Sequence, residues 1–262
     1  MRRLLALAAV ALVLPQAASA DPPHSGIVHV PVSPGQSQIQ RGAQLYAGNC
    51  STCHGSAGSG ITQRTQLGGA GGITGLGPPL KGVGAIAADL YLRTGYMPLP
   101  RPGLQPRRST VLFSESELRA LIAYVASLGP GPPIPTPHPE RGNVADGLQL
   151  FTDHCAGCHQ VAAEGGLVTG ATVPPLLGLS PVRIAEAVRV GPYVMPRFPA
   201  SQLSDGDLNS IISYIQYANH PDDPGGWSLG RIGPVPEGLV TWFIAIVALV
   251  AACVVIGKRL DS

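Results

Sequence analysis

The pentapeptide Cys-x-x-Cys-His occurs twice, as Cys50-Ser51-Thr52-Cys53-His54 and as Cys155-Ala156-Gly157-Cys158-His159. Any fold this chain adopts must present both. Two thiols three residues apart can form thioethers with both vinyl groups of one haem, and the adjoining histidine then lies under the ring and ligates the iron. The signature predicts two covalently bound haem c groups, held by Cys50, Cys53, Cys155 and Cys158, with His54 and His159 as iron ligands. A Cys-x-x-Cys pair can also be half of a zinc site, or a redox dithiol on a thioredoxin-like unit. The two pairs lie much farther apart than the halves of a zinc ribbon, and neither alternative calls for a histidine directly after the second cysteine.

The surroundings of the motifs repeat as well, a sign of duplicated structural units. Gly42, Leu45 and Tyr46 precede Cys50 at the spacing with which Gly147, Leu150 and Phe151 precede Cys155. Offsets of three and four place such residues on one face of a helix running into the motif. Downstream, Leu118, Leu121, Ile122, Tyr124 and Val125 match Leu208, Ile211, Ile212, Tyr214 and Ile215. Both segments open on a capping signal, Ser114 before Glu117 and Ser204 before Asp207. Each unit reads as a helix, the motif, a loop with a short helix, and a closing amphipathic helix. This pattern resembles the class I cytochrome c fold over nearly all of residues 40–128 and 141–220. The resemblance implies that the first and last helices cross closely, with Gly42, Tyr46 and Tyr124 at one crossing and Gly147, Phe151 and Tyr214 at the other.

Besides the initiator, the chain has two methionines: Met97 in Gly95-Tyr96-Met97-Pro98, and Met195 in Tyr193-Val194-Met195-Pro196. A lone methionine is usually core filler. Here each falls between a motif and its closing helix and each precedes a proline, so Met97 and Met195 are the expected sixth iron ligands. A thioether opposite imidazole raises the potential and closes the iron to outside ligands, which favours electron transfer over catalysis. In similar cytochromes c, the carbonyl of a proline after the motif accepts a hydrogen bond from the ligand histidine. That match carries the role to Pro78 and Pro174, where it would orient the ring and raise its basicity.

The N-terminus reads as a secretory signal: Arg2 and Arg3, an apolar run from Leu4 to Leu14, then Ala18-Ser19-Ala20. The run from Leu239 to Ile256 carries no charge, has Trp242 near one end, and is followed by Lys258 and Arg259. It is long enough to cross a bilayer, and the flanking positive residues put the C-terminus in the cytoplasm. Both signals place the repeats outside the cytoplasmic membrane. Of the 5 cysteines, four belong to the motifs and Cys253 lies in the apolar run, so a disulfide framework is not expected. The 34 glycines and 27 prolines crowd into Asp21–Gln36, Gly58–Gly77, Gly129–Pro139 and Pro221–Pro236, which mark loops and linkers. The resulting organisation is a signal peptide (1–20), a linker (21–39), domain 1 (40–129), a Pro-rich spacer (130–140), domain 2 (141–220), a juxtamembrane linker (221–237), a transmembrane helix (238–257) and a short tail (258–262). The fold class is all-α, with two tandem class I cytochrome c domains.

Charge separates the two repeats. Residues 40–128 carry Arg41, Arg64, Lys81, Arg93, Arg101, Arg107, Arg108 and Arg119 against Asp89, Glu115 and Glu117. Residues 141–220 are mildly acidic. Arg101, Arg107 and Arg108 fall in a segment domain 2 lacks, and an acidic partner docking there is the expectation. No basic helix or aromatic–basic alternation suggests nucleic acid.

Export signal, two haem domains and one C-terminal anchor together resemble the dihaem cytochrome c subunit of the actinobacterial-type cytochrome bcc complex, a menaquinol–cytochrome c reductase. The resemblance also rests on Gly191-Pro192 before Met195-Pro196, on Phe198, and on a run with no haem role: Pro224-Gly225-Gly226-Trp227, Gly230, Gly233-Pro234, Pro236-Glu237-Gly238 and Trp242. It implies cytochrome b and Rieske iron–sulfur subunits as partners, with electrons passing from the Rieske protein to the copper centre of an associated cytochrome oxidase. This chain would be the electron-transfer subunit of the reductase rather than its quinol-oxidising one. The alternative is the electron-accepting cytochrome of a periplasmic dehydrogenase. A haem peroxidase or sensor is the further class.

Overall fold

The computed structural model describes residues 26–61, 77–99, 103–221 and 234–260. The expected signal peptide, most of the Gly58–Gly77 loop, Arg101 and most of the juxtamembrane run lie outside the described residues. The first repeat contains α1 (Gln38–Asn49), the one-turn α2 (Ser51–His54), α3 (Gly84–Arg93) and α4 (Glu115–Ser127). The second contains α5 (Val144–His154), α6 (Ala156–His159), a hairpin of β1 (Gly166–Val168) and β2 (Ala171–Val173), α7 (Pro181–Val190) and α8 (Asp205–Asn219). The chain ends in α9 (Pro234–Leu260). Both repeats fall in one compact unit that runs to Ile215, and a second unit holds the remainder.

The helix starts follow local chemistry. Ser37 and Gln40 form a reciprocal capping box on α1, as do Ser114 and Glu117 on α4. On α8 the Asp207 carboxylate accepts from the Ser204 amide at 3.0 Å, and the Asp207 amide donates back to the Ser204 hydroxyl at 3.1 Å. The hairpin is a departure from a purely helical expectation. Thr169-Gly170 forms its turn, with Gly170 at φ 84°, and Val168 and Val173 lie in the flanking strands.

In each repeat the first and last helices touch backbone to backbone. A Cβ on Gly42 would lie 2.0 Å from the Ala120 carbonyl oxygen, and one on Gly147 would lie 2.0 Å from that of Ser210. Beside these contacts pack the aromatic pairs Tyr46–Tyr124, with ring centroids 5.1 Å apart, and Phe151–Tyr214, at 5.3 Å. Leu45, Leu118, Leu121 and Val125 complete the first core. Ile184, Val188, Leu208, Ile211 and Ile212 are buried in the second repeat. The segment before α1 belongs to the first repeat: Val30 packs on its core, Arg41 donates to the Val30 carbonyl at 2.8 Å, and Asn49 pairs with the Val28 backbone.

The repeats meet where α3 packs on α7. Asp89, only 3% exposed, accepts from Arg93 at 2.7 Å and from Arg183 of the second repeat. Arg183 also ion-pairs with Glu186, which is fully buried, and Arg93 reaches Glu115 at 2.8 Å. Burial tends to raise the Asp89 carboxyl, but the Arg183 and Arg93 hydrogen bonds win and hold it below its usual range. Burial, reinforced by the neighbouring Asp89 and only partly opposed by Arg183, pushes Glu186 up to about 8. One proton therefore stays on the acid pair at neutral pH. The Pro-rich spacer is tied at both ends: the Pro132 carbonyl accepts from the Ile86 amide at 3.3 Å, and the His138 amide donates to Asn209 at 2.7 Å.

Two stability tests follow from these contacts. Gly147→Ala should destabilise by roughly 3 kcal/mol, the upper end of overpacking penalties. Gly206→Ala, whose Cβ would come no closer than 3.6 Å to Ser204, should be neutral or slightly stabilising; equal melting shifts would contradict the crossing argument. Folded Glu186 keeps a proton that the unfolded chain releases, so this group's contribution to stability falls as pH rises from about 4.5 to about 8. Thermal melts across that window should show a flatter decline for Glu186→Gln than for the parent.

Candidate functional site

The two motifs sit on the same backbone device. Helix α1 stops at Cys50 (φ −121°), whose amide donates to the Tyr46 carbonyl at 2.8 Å; one further turn then brings His54 N–H to the Cys50 carbonyl at 2.9 Å. In the second repeat Cys155 (φ −123°) bonds to Phe151 at 2.8 Å, and His159 to Cys155 at 2.9 Å. The kink turns the motif away from the first helix. A single helical turn then sets both cysteines and the histidine on neighbouring positions. Neither cysteine pair is closed as a disulfide.

Each histidine is held by the carbonyl of the expected proline. His54 Nδ1–H donates to Pro78 at 2.8 Å, and His159 Nδ1–H donates to Pro174 at 3.2 Å. A carbonyl can only accept, so Nδ1 carries the proton in both rings and Nε2 keeps its lone pair for a metal. Burial holds the His159 imidazole below its usual range against the opposing pull of Pro174, which keeps the ring neutral. Gly77 leaves room for this approach: a Cβ there would lie 2.6 Å from the Cys53 carbonyl oxygen and 3.0 Å from His54 Nδ1.

Matching backbone bonds shape the loops beyond the motifs. Leu80 N–H reaches Gly58 at 2.9 Å, and Leu176 N–H reaches Ala163 at 2.8 Å. A tyrosine hydroxyl tethers each loop, but from opposite helices. Tyr46 on α1 donates to the buried Gly55 carbonyl at 2.8 Å, whereas Tyr214 on α8 donates to Val161 at 2.6 Å. Met97 and Met195 are half-buried and occupy the connections after α3 and α7, with their amides bonded to Tyr91 and Pro192, each at 3.1 Å. Gly95 and Gly191, both at φ 66°, let the chain leave each helix.

Several supporting residues escaped the sequence reading. Arg189 donates to the Phe198 and Leu203 carbonyls at 3.0 and 2.7 Å and pairs with Asp205 at 2.6 Å, fixing the Met195 loop. Arg93 and Glu115 are its counterparts in the first repeat. The signal was available: in each repeat a basic residue lies in the last turn of the third helix and an acid directly follows the capping serine. His154 stacks edge-on against Phe198, with centroids 5.9 Å apart. In the basic segment after Met97, Arg108 is exposed and donates to the Pro175 carbonyl of the second repeat at 3.2 Å.

The donor set fits covalent haem better than zinc or a redox dithiol. No cluster of three or more His, Cys, Asp or Glu side chains suited to a metal ion occurs among the described residues. Burial, with Cys53 and Cys158 as nearby groups of like charge, pushes the Cys50 and Cys155 thiols up to about 11. A reactive dithiol requires the opposite shift.

Each repeat is matched by a family of known proteins. The family described as "Cytochrome c" matches residues 39–129, and "Cytochrome C oxidase, cbb3-type, subunit III" matches residues 142–215. A cytochrome bc1 complex cytochrome c subunit from Corynebacterium diphtheriae is 36% identical over 242 residues, covering 86% of this chain and 82% of its own. Its counterpart in Mycobacterium bovis is 34% identical over 263 residues, covering 97% and 85%. A cbb3-type cytochrome c oxidase subunit CcoP from Azospirillum is 25% identical over 193 residues, covering 66% and 60%.

Removing the tethering hydroxyls should separate the two loops. Tyr46→Phe leaves a buried carbonyl unpaired and should lower stability by about 1–3 kcal/mol. Tyr214→Phe should cost less, about 0.5–1.5 kcal/mol, because water can reach the carbonyl of half-exposed Val161. Denaturant melts of the two variants would check this order.

Proposed function

The chain belongs to the family of cytochrome bc1 complex cytochrome c subunits, and on that premise we propose that it passes electrons singly from a Rieske iron–sulfur protein to a terminal cytochrome oxidase. Cys50 and Cys53 would hold one haem c and Cys155 and Cys158 a second, with His54, Met97, His159 and Met195 as iron ligands. When bound, these groups supply reversible one-electron chemistry at iron. The protein's own task is orientation and exclusion. Pro78 and Pro174 fix the imidazole planes and make the rings better donors. Met97 and Met195 would supply thioether ligands that close the iron to outside ligands.

The observation that carries this reading is the duplicated histidine–proline hydrogen bond on matching kinked turns within one compact unit. Two like sites, each followed by a loop bearing methionine, suit a relay. Quinol oxidation would belong to the cytochrome b and Rieske subunits, and the copper-centre subunit of the oxidase would receive the electrons. The segment Gly238–Arg259 within α9 spans 22 residues, about 33 Å at the helical rise, and is long and apolar enough to cross a membrane. Its helix begins four residues before the expected span. Lys258 and Arg259 at its end support a cytoplasmic C-terminus with the two sites on the outer face.

Gentle detergent extraction of the tagged chain, followed by a reduced-minus-oxidised spectrum, tests the assignment. Haem b and haem a signals co-purifying with haem c are expected; haem c accompanied by a dehydrogenase subunit instead would overturn it. Met97→Ala and Met195→Ala should each leave haem attached and lower one midpoint potential. Unchanged potentials in both variants would refute the axial assignment.

A further inference from the structure

The segment between Met97 and α4, which the second repeat lacks, is bonded to the backbone that orients the second histidine. Gln105 engages both polar groups of Thr172: its Nε2 donates to the Thr172 carbonyl at 2.6 Å, and its Oε1 accepts from the Thr172 amide at 3.1 Å. Thr172 lies in β2 opposite Leu167. In an antiparallel ladder, alternate residues turn their N–H and C=O outward, and Gln105 caps that outer edge as a third strand would. Three residues on, Arg108 donates to the Pro175 carbonyl at 3.2 Å. Between these two anchors lie buried Val173 and half-buried Pro174, whose carbonyl accepts the hydrogen bond from His159 Nδ1–H.

We propose that Gln105 and Arg108 are positioning residues for His159: by clamping Thr172 and Pro175, the first repeat sets the Pro174 carbonyl that orients the ligand ring of the second. The clamp is itself fastened to the first site. Ser109, next to Arg108, donates its hydroxyl to the Gly95 carbonyl at 2.6 Å and its amide to Thr94 at 3.3 Å, at the root of the Met97 loop. One short segment thus joins the methionine loop of one repeat to the histidine support of the other. The His159–Pro174 bond is 3.2 Å against 2.8 Å for His54–Pro78. Being the longer, it is the one that a small displacement of its carbonyl would weaken most.

The consequence has a sign. Donation of Nδ1–H to a carbonyl makes the imidazole more basic, and a more basic ligand favours the oxidised metal. Releasing Pro174 should therefore raise the second site's potential and leave the first unchanged. The inference rests on the axial-ligand reading above, and the experiment separates the two. The full-length protein in detergent, with both haems attached, is titrated spectroelectrochemically as the parent and as the Gln105→Met/Arg108→Met double variant. Met97→His and Met195→His assign each one-electron step to its site.

In the double variant, the step assigned by Met195→His should rise. At a fixed poise its reduced-to-oxidised ratio should increase about threefold, which at 59 mV per tenfold for one electron is about 28 mV. The His159 Nδ1–H proton resonance should move while that of His54 stays. Gln105→Met alone should give part of the rise, and Arg108→Lys should keep most of the parent value. A second-site potential that stays, falls, or moves together with the first overturns the proposal. If the axial markers move neither step, the ligand reading fails and this inference falls with it.

Discussion

Backbone-to-backbone contact between the first and last helices of each repeat is the constraint on which the remaining geometry depends. With no side chain at Gly42 or Gly147, α1 lies on the Ala120 carbonyl and α5 on that of Ser210. That depth of approach fixes where the aromatic pairs sit, and the pairs fix where a hydroxyl can reach. The Cys-x-x-Cys-His turn leaves the same helix about two turns beyond this contact, at Cys50 and Cys155, so its direction is inherited from the crossing. The proline carbonyls can meet the histidines only because the turn is delivered to the same place twice.

Within that shared frame the repeats have reached the same ends by different means. The loop tether comes from the first helix in one repeat and from the last in the other: Tyr46 and Tyr214 stand on opposite partners of equivalent ring pairs. The second repeat closes its loop with a hairpin. The first carries an added segment that grips that hairpin. A pair of rings 5 Å or so apart presents two edges to the same loop, so moving the hydroxyl between them leaves the function of the contact intact.

What could be read from the sequence was whatever is local or repeated. The two Cys-x-x-Cys-His turns stand out as contiguous motifs, the capping boxes as a four-residue pattern, and the crossing as glycine and aromatic positions found twice. Asp89, Arg183 and Glu186 were illegible for a physical reason. On its own helix each looks like an ordinary solvated charge, and the three come together only where α3 packs on α7. Arg183 and Asp89 are 94 residues apart in the chain, and no periodicity records such a meeting. The Arg108 contact was illegible in the same way: nothing local in the sequence records that its guanidinium bonds a carbonyl of the other repeat.

The seam between α3 and α7 raises the question of what charges contribute where apolar side chains would have sufficed. Desolvating Asp89 and Arg183, beside a Glu186 that keeps its proton, offsets much of the attraction between the two charges, so such a cluster adds little net adhesion. It does penalise every misaligned arrangement, because displacement would strand a buried charge. Adhesion has another source: the spacer holds the repeats at a high effective concentration, as a short covalent link does. Tied at Pro132 and His138, the spacer keeps the repeats together, and the charge cluster selects one register among those it permits. Relay between two fixed sites needs that division of labour, since its rate depends on a constant separation more than on the strength with which the halves adhere.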